Sequence, residues 1–512
     1  MNNKKPLVFA VVDQAVRSAF HADLARYLKR TQGAVFHHYV PTDHSSEANR
    51  KRHADAYDSF NIIDRGDTPP TEPTDVDGLQ RRARYYEERY DIPLGYFRII
   101  DRAMGLGFSL GGYYHPLSKA AEQASDLAAL ANTIRELDFW EKEIAEKQID
   151  AVINGFYFEY FPAKAQGKAL RSTISARNEN FYYWSDTCYG ELTTLEAAFQ
   201  RTPAPAAEIR LDEAPVLNRK QLTIIADRTK FSDLLARIGR QIYRYAYWTY
   251  KGRLDDHYRF SPVIYSIWRE WRVLRALDRQ KLPRLTDLAG KSYVFYALQV
   301  EPESNFQGYS PEYFYQIAAI SSLSRDLPAG TWLVVKEHLP AAGRRPDLFH
   351  EQIRRFKNVI FVDPRESGLE LVRNARAVAT ITGTVGQEAA IMGKPVLSFG
   401  RHALHGMLPH VKVIRDEAEI YPALRWALSD EFDAARAKQD GQRYLAAFRE
   451  FCFPMDDFGF HNPDGYTENA VAAAADQLMR SMQTPAGAQG AADSVAAMVG
   501  RGSVRKQGAG LG

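Results

Sequence analysis

Hydrophobic and polar positions along the chain fall into two runs of short apolar strands alternating with amphipathic helices. Leu7 to Val12 predicts a buried strand, Val16 to Leu28 a helix and Ala34 to Val40 a second strand, which together make a βαβ opening. Residues 42–80 are polar, with TPPTEPTD at 68–75, and predict an irregular insertion or surface loop. A mostly helical stretch to Lys147 leads into a buried strand at Asp150 to Phe156, whose end carries Asn154 and Gly155. The second run is more regular. Strands are predicted at Tyr293 to Gln299, Trp332 to Lys336, Val359 to Val362, Ala377 to Ile381 and Pro395 to Phe399, with helices over 311–324, 348–356, 367–375, 385–392 and 417–428 between and after them. Such alternation predicts an α/β protein of two Rossmann-like lobes with extra helices and a ligand site in the cleft at the carboxyl ends of the strands.

The expected divisions are an N-terminal Rossmann-like lobe over 1–215, a connecting segment over 216–290, a C-terminal Rossmann-like lobe over 291–482 that carries the ligand site and a disordered Gly/Ala-rich tail over 483–512. The connecting segment interleaves Tyr243, Tyr245, Tyr247, Trp248, Tyr250, Trp268 and Trp271 with Arg240, Arg244, Lys251, Arg253, Arg269, Arg272 and Arg275. Two readings fit: interdomain helices with packed rings and solvated arginines, or a surface for anionic membrane or polyanionic glycan.

Charge and cysteine content narrow the class. A net charge of +3 on 512 residues does not argue for nucleic acid. Cys188 and Cys452 are too few and too far apart for a disulfide framework, which points to a reducing cytoplasm. The opening MNNKKPLVFAVVDQ has an apolar run shorter than a signal peptide's core, and no stretch approaches the ~20 apolar residues of a membrane span. GxxxxGK[ST] and HExxH motifs are absent, and the histidines lack metal-ligand spacing, so neither a bound metal nor a cofactor is expected. His37 and His38 should splay to opposite faces of a strand, and His402 and His405 have no carboxylate near them in sequence.

Three segments that follow strands of the second run are the candidate chemistry. The loop after Ile381 supplies hydroxyls from Thr382 and Thr384 and close backbone approach at Gly383 and Gly386, with Glu388 a turn into the helix, a composition suited to phosphate and ribose. Gly393 needs only a helix-terminating role. Lys336 and His338 leave the preceding strand on one face and can offer a cation and a donor to phosphate. Glu301 and Glu303 follow another strand end, where carboxylates can transfer a proton or stabilise an oxocarbenium-like centre. Asp13, Asp101 and Glu159 are the corresponding carboxylates of the first lobe.

The series YALQVEPES, LVVKEHLP, FVDP and ATITGTVGQEAAIMGKPVLSFG resembles the C-terminal half of bacterial capsular polysaccharide biosynthesis proteins, a group that includes capsule Kdo transferases of the two-lobed glycosyltransferase-B type. FRIIDRAMGLGFSLGGYYHP and DAVINGF are similar to the same family's N-terminal lobe. The resemblance implies metal-independent transfer of a sugar, Kdo or a related acid sugar from a CMP-sugar, to a capsular or surface glycan or its lipid-linked primer. With the cysteine content and the basic aromatic connecting segment, the expected location is the cytoplasm, with a peripheral contact on the inner face of the inner membrane. Family CMP-sugar sites use a His-Pro pair and a hydroxyl-rich loop, which map to His338 and to Thr382 with Thr384; here Leu339 separates His338 from Pro340. Gln387-Glu388 fits a UDP-sugar 2-epimerase or UDP-sugar transferase equally, and a non-catalytic glycan-binding assembly protein would keep the same fold.

Overall fold

A computed structural model describes residues 5–12, 17–41, 51–63, 71–100, 124–209, 211, 223–224, 226–252, 260–300, 310, 313, 315–338, 341, 345, 348–455 and 466–483. Two sheets organise them. The first has seven strands in the order β13-β6-β5-β4-β1-β2-β3, made from β1 (Val8–Val12), β2 (Val35–Pro41), β3 (Ser59–Ile63), β4 (Ala151–Ile153), β5 (Ala169–Ser175), β6 (Phe181–Ser185) and β13 (Cys452–Pro454). The second has six in the order β12-β11-β10-β7-β8-β9, from β7 (Ser292–Ala297), β8 (Thr331–Lys336), β9 (Val359–Val362), β10 (Ala377–Thr380), β11 (Val396–Ser398) and β12 (Val411–Val413). Every pairing of the second sheet is parallel. The first is parallel except at β5–β6 and β6–β13. The two-lobed α/β architecture expected from the alternation is therefore present.

Continuous apolar runs become the central strands because both their faces are covered. VFAVV in β1 and AVAT in β10 are buried at every position. Local signals set the helix ends: Gly33, at φ 65°, closes the helix Ser18–Gln32 with its N–H on Leu28 and Lys29 carbonyls, and Asp75 caps Val76–Tyr90 through Gly78 N.

Residues 42–80 depart from the expected loop. They contain β3, which pairs in parallel with β2, and the start of the helix at Val76. Being an edge strand, β3 has mixed burial with Ile62 exposed, so it lacks the apolar run that marks a buried strand.

The assignment of all of 291–482 to the second lobe is also corrected. Strand β13 pairs antiparallel with β6, and the helix Glu468–Gln483 packs Val471, Ala474, Ala475 and Leu478 into the first lobe's core with Phe9, Phe20, Leu24 and Trp184. Trp184 Nε1 donates to Ala474 O at 2.9 Å, and Arg171 donates to Ser481 Oγ at 2.8 Å. An apolar helix face fits either lobe equally well on paper, and only the packing selects one.

A bridge precedes that return. The helix Ala434–Arg449 lies under the helix Thr384–Ile391 on one side, while Arg443 Nε donates to Thr202 O at 2.7 Å on the other. One apolar cluster runs through both lobes, joining Tyr183, Leu195 and Phe199 to Ala389, Leu445 and Phe448. Among the described residues no helix is long and apolar enough to cross a membrane.

Candidate functional site

The parallel strands β7, β8 and β10 are adjacent in the second sheet, so the segments after them emerge side by side. A continuous polar network joins all three. After β7, Gln299 accepts from Thr382 Oγ1 at 2.6 Å and from Thr382 N at 3.3 Å through its Oε1. Its carbonyl accepts from Arg345 Nη2 and from Gln316 Nε2, the latter at 3.0 Å, and its own N–H donates to Gln316 Oε1 at 2.7 Å. Arg345 in turn reaches Glu337, after β8, with Nε at 3.0 Å from Oε2 and Nη2 at 2.9 Å from Oε1.

Glu337 is the hub. It is fully buried, accepts from His338 N at 2.7 Å, and has His350 Nε2 at 2.7 Å. Burial alone would raise its pKa, but the Arg345 guanidinium and the hydrogen bond from His350 outweigh that and hold the carboxyl well below its usual range. The strand period explains the geometry: Glu337 points inward, while His338 is exposed and Lys336 half-buried, with Lys336 Nζ 3.5 Å from Glu337 O. Crowding around the His338 ring desolvates it in part and lowers its pKa, with Lys336, Arg345 and Arg177 pushing the same way and Glu337 opposing them. At neutral pH the ring is neutral, so it meets an anion as a hydrogen-bond donor from one nitrogen.

The loop after β10 is held by its own hydroxyl. Thr380 Oγ1 accepts from Gly383 N at 3.0 Å, and Gly383 stands as the N-cap of the helix Thr384–Ile391. Thr382, Gly383, Thr384 and Glu388 are all half-buried along this turn, whereas Gly386 is buried. A Cβ on Gly386 would lie 2.5 Å from Thr380 Cγ2 and 2.9 Å from His405 Nε2, so this glycine serves close helix–strand packing. Gly393, at φ 76°, carries both the turn and a close approach: a Cβ there would lie 2.4 Å from Lys438 N.

The first lobe meets this edge through the β5–β6 turn. Gln387 Nε2 donates to Ala176 O at 3.3 Å, and Arg177, left-handed at φ 58°, lies close enough to His338 to push its pKa down. Arg177 was missed by sequence reasoning. Its turn carries neither Gly-rich composition nor proximity in sequence to the loops it faces.

A second contact corrects the isolation expected for His402. Its Nδ1 is 2.8 Å from Glu191 Oε1, and its ring stacks on Tyr189 at 3.8 Å between centroids. His402 and the hydrogen bond from Thr187 Oγ1 to Glu191 outweigh burial and lower that carboxyl's pKa. These partners lie 211 residues apart in the chain, so sequence spacing could not pair them.

Of the expected carboxylates, Asp13, Asp101, Glu301 and Glu303 lie outside the described residues. Glu159 does not face the cleft in a usable way: it is 1% exposed, and its carboxylate accepts from Phe156 N at 2.7 Å, capping the helix Tyr157–Ala165. The His37–His38 pair splays as expected, His37 toward Ser59 Oγ at 2.7 Å and His38 stacked on Tyr57. Among the described residues no three metal-ligating side chains cluster.

Fold and site together define a two-lobed α/β protein whose polar network lies at the carboxyl edge of the second sheet, facing the first lobe. Residues 225–407 match the capsule polysaccharide biosynthesis protein family, so over that stretch the resemblance read from the motifs is borne out. The capsule polysaccharide export protein KpsS of Escherichia coli is 30% identical over 186 residues, which cover 32% of this chain. The match spans 47% of that relative, about half its length. Among solved structures, Thermosulfurimonas dismutans KpsC, a beta Kdo 2,4 transferase, is 12% identical with a TM-score of 0.25, covering 54% of this chain and 79% of its own. Acinetobacter baumannii MurG is 8% identical with a TM-score of 0.30, covering 93% and 100%. At such scores neither informs the site, and the description of the fold rests on the two sheets themselves.

Proposed function

We propose that this protein is a metal-independent glycosyltransferase of capsule or surface polysaccharide biosynthesis, taking a CMP-activated acid sugar such as Kdo. The observation that carries the reading is the chain of hydrogen bonds from Thr382 through Gln299 and Arg345 to Glu337, which fixes the backbone on both sides of a half-open polar edge. A backbone held fixed on both sides of that edge suits a leaving phosphate, because electrostatic stabilisation without reorganisation is effective catalysis. In this reading Lys336, His338 and the turn Thr382–Thr384 hold the nucleotide phosphate, Gly386 lets the helix approach, and Glu388 accepts from the ribose. One of Glu301, Glu303, Asp13 or Asp101 activates the acceptor hydroxyl, a capsular glycan or lipid-linked primer. The enzyme works in the cytoplasm, peripheral to the membrane carrying that primer.

The family match over residues 225–407 supports the capsule role, and the sequence series around His338 and Thr382 supports the CMP preference. The discriminating experiment is a panel of CMP, CDP, UDP, GDP and ADP binding by calorimetry, on the wild type and on His338→Ala. CMP-selective binding lost in the variant is the expected result. Preference for UDP moves the assignment to a UDP-sugar transferase or 2-epimerase, and binding of none leaves a glycan-binding assembly protein.

A further inference from the structure

The helices Phe231–Tyr250 and Phe260–Arg279 form a hairpin, held at one end by a buried acid and at the other by Tyr245 packed on Phe260 at 4.7 Å between ring centroids. Glu270, fully buried, pairs with Arg228 at 2.7 Å and with Arg237. Trp271 Nε1 also donates to Thr229 O at 3.1 Å, and its ring lies 5.9 Å from that of Phe231. These contacts occupy one side of the first helix and leave the other open.

The open side has a composition that solvent alone does not explain. Leu235, Gly239, Ile242, Tyr243, Ala246 and Tyr250 recur at helical spacing on one face, none is charged, and all are exposed. Tyr250 is 85% exposed, Tyr243 68%, Leu235 55% and Ile242 52%. Isolated exposed leucines need no account, but a continuous uncharged face with two tyrosines does. Arg240 and Arg244 run along its margin, and Lys251 stands at its end above the rings of Tyr247 and Tyr250. From Leu234 to Gly252 the chain has four cations, Arg237 included, and no acid.

We propose that this face rests on an anionic lipid surface. The charge pattern selects that occupant: a cationic margin repels a second copy of itself across a two-fold axis, whereas it is drawn to anionic headgroups. Around the helix Leu235 and Ile242 lie together, and Tyr250 and Tyr243 lie between them and Arg240, which matches the layering of an interface, where aliphatic groups enter the acyl boundary and phenols stay with the headgroups. A polyanionic glycan would satisfy the cations and leave Leu235 and Ile242 without a partner. The hairpin thereby gives the peripheral location in the proposed function a physical basis, and it stands whether or not the donor is a CMP-sugar.

The test is co-sedimentation of the nucleotide-free protein with vesicles of phosphatidylcholine and phosphatidylglycerol at roughly 2:1 and with phosphatidylcholine alone. Two variants are compared, Leu235→Ser/Ile242→Ser/Tyr243→Ser/Tyr250→Ser and Arg240→Glu/Arg244→Glu, each checked for an unchanged melting temperature. Wild-type binding to the anionic vesicles, reduced at least about tenfold in each variant, is expected. Binding should weaken but persist at high salt, because the apolar contact is not screened. Absence of wild-type binding overturns the proposal, as does a serine variant that sediments like the wild type. A wild-type dimer that the serine variant converts to monomer also overturns it and makes the face a protein interface. Nucleotide affinity is measured on the same samples, so failure here is separable from failure of the donor assignment.

Discussion

Glu337 and Arg345 form a fully buried ion pair directly behind the exposed His338, with two nitrogens of the guanidinium on the two oxygens of the carboxylate at 3.0 and 2.9 Å. Removing one partner strands a charge in the interior. Glu337→Gln should therefore destabilise the protein by about 3–5 kcal/mol in urea unfolding and also abolish nucleotide binding. His338→Ala, at an exposed position, should leave stability within about 0.5 kcal/mol while losing the nucleotide. Equal stability losses in the two variants would contradict this division between support and contact.

Gly441 and Gly393 are set by the seam between the helices Thr384–Ile391 and Ala434–Arg449. A Cβ on Gly441 would lie 2.3 Å from Ala390 O, where backbone blocks retreat. Gly441→Ala should cost about 1–3 kcal/mol by overpacking. Gly393→Ala adds left-handed strain of roughly 1–2 kcal/mol to its own clash. Because that helix begins at the Thr382–Thr384 turn, both variants should also weaken nucleotide affinity in calorimetry. An unchanged melting temperature would show that the two helices can separate freely.

Three histidines predict an acid-side loss of stability. Burial lowers the pKa of His21 to about 3 and those of His38 and His405 to about 4, from an ordinary value of 6.5. The unfolded chain therefore binds more protons than the folded one between those values, and stability rises with pH through the window. Unfolding free energy should be flat above about pH 7 and fall as pH drops from 6.5 toward 4, each histidine adding up to about 1.4 kcal/mol per pH unit. His38→Phe, which keeps a ring stacked against Tyr57, should reduce the slope; denaturant titrations at stepped pH measure it. Glu337 steepens the fall only below about pH 5, because its carboxyl protonates in the unfolded chain while it stays ionised in the folded one.

The returning helix should behave as part of the first lobe. Leu478 is fully buried among the side chains that surround β1 and β6. Leu478→Ala should cost about 2–5 kcal/mol, with hydrogen exchange accelerated in Val8–Val12 and Phe181–Ser185 ahead of Ala377–Thr380. Faster exchange confined to the second sheet would contradict the assignment.

Much of the second lobe was readable as sequence. Val359–Val362 appears at the bounds its apolar run implies, and β7, β8, β10 and β11 fall within two residues of theirs, because buried parallel strands are short unbroken apolar runs. The first lobe was less legible at its margins. β3, β5, β6 and β13 flank the central strands β4, β1 and β2, carry polar or aromatic residues in place of an unbroken aliphatic run, and take their identity from neighbours.

For the proposed site, residue type and position after a strand were the grounds for choosing Lys336, His338 and the Thr382–Gly386 turn as candidates. Sequence alone determined that these segments belong to one edge of a parallel sheet, since strand–helix alternation implies parallel strands and the side-chain period is local. Tertiary structure decided the rest: that Gln299 and Arg345 tie the segments together, that Glu159 is a cap, that His402 meets Glu191, that Arg177 faces His338 from the other lobe, and which lobe receives the last helix. Those facts depend on contacts between residues far apart in the chain, and no local pattern carries the identity of a distant partner.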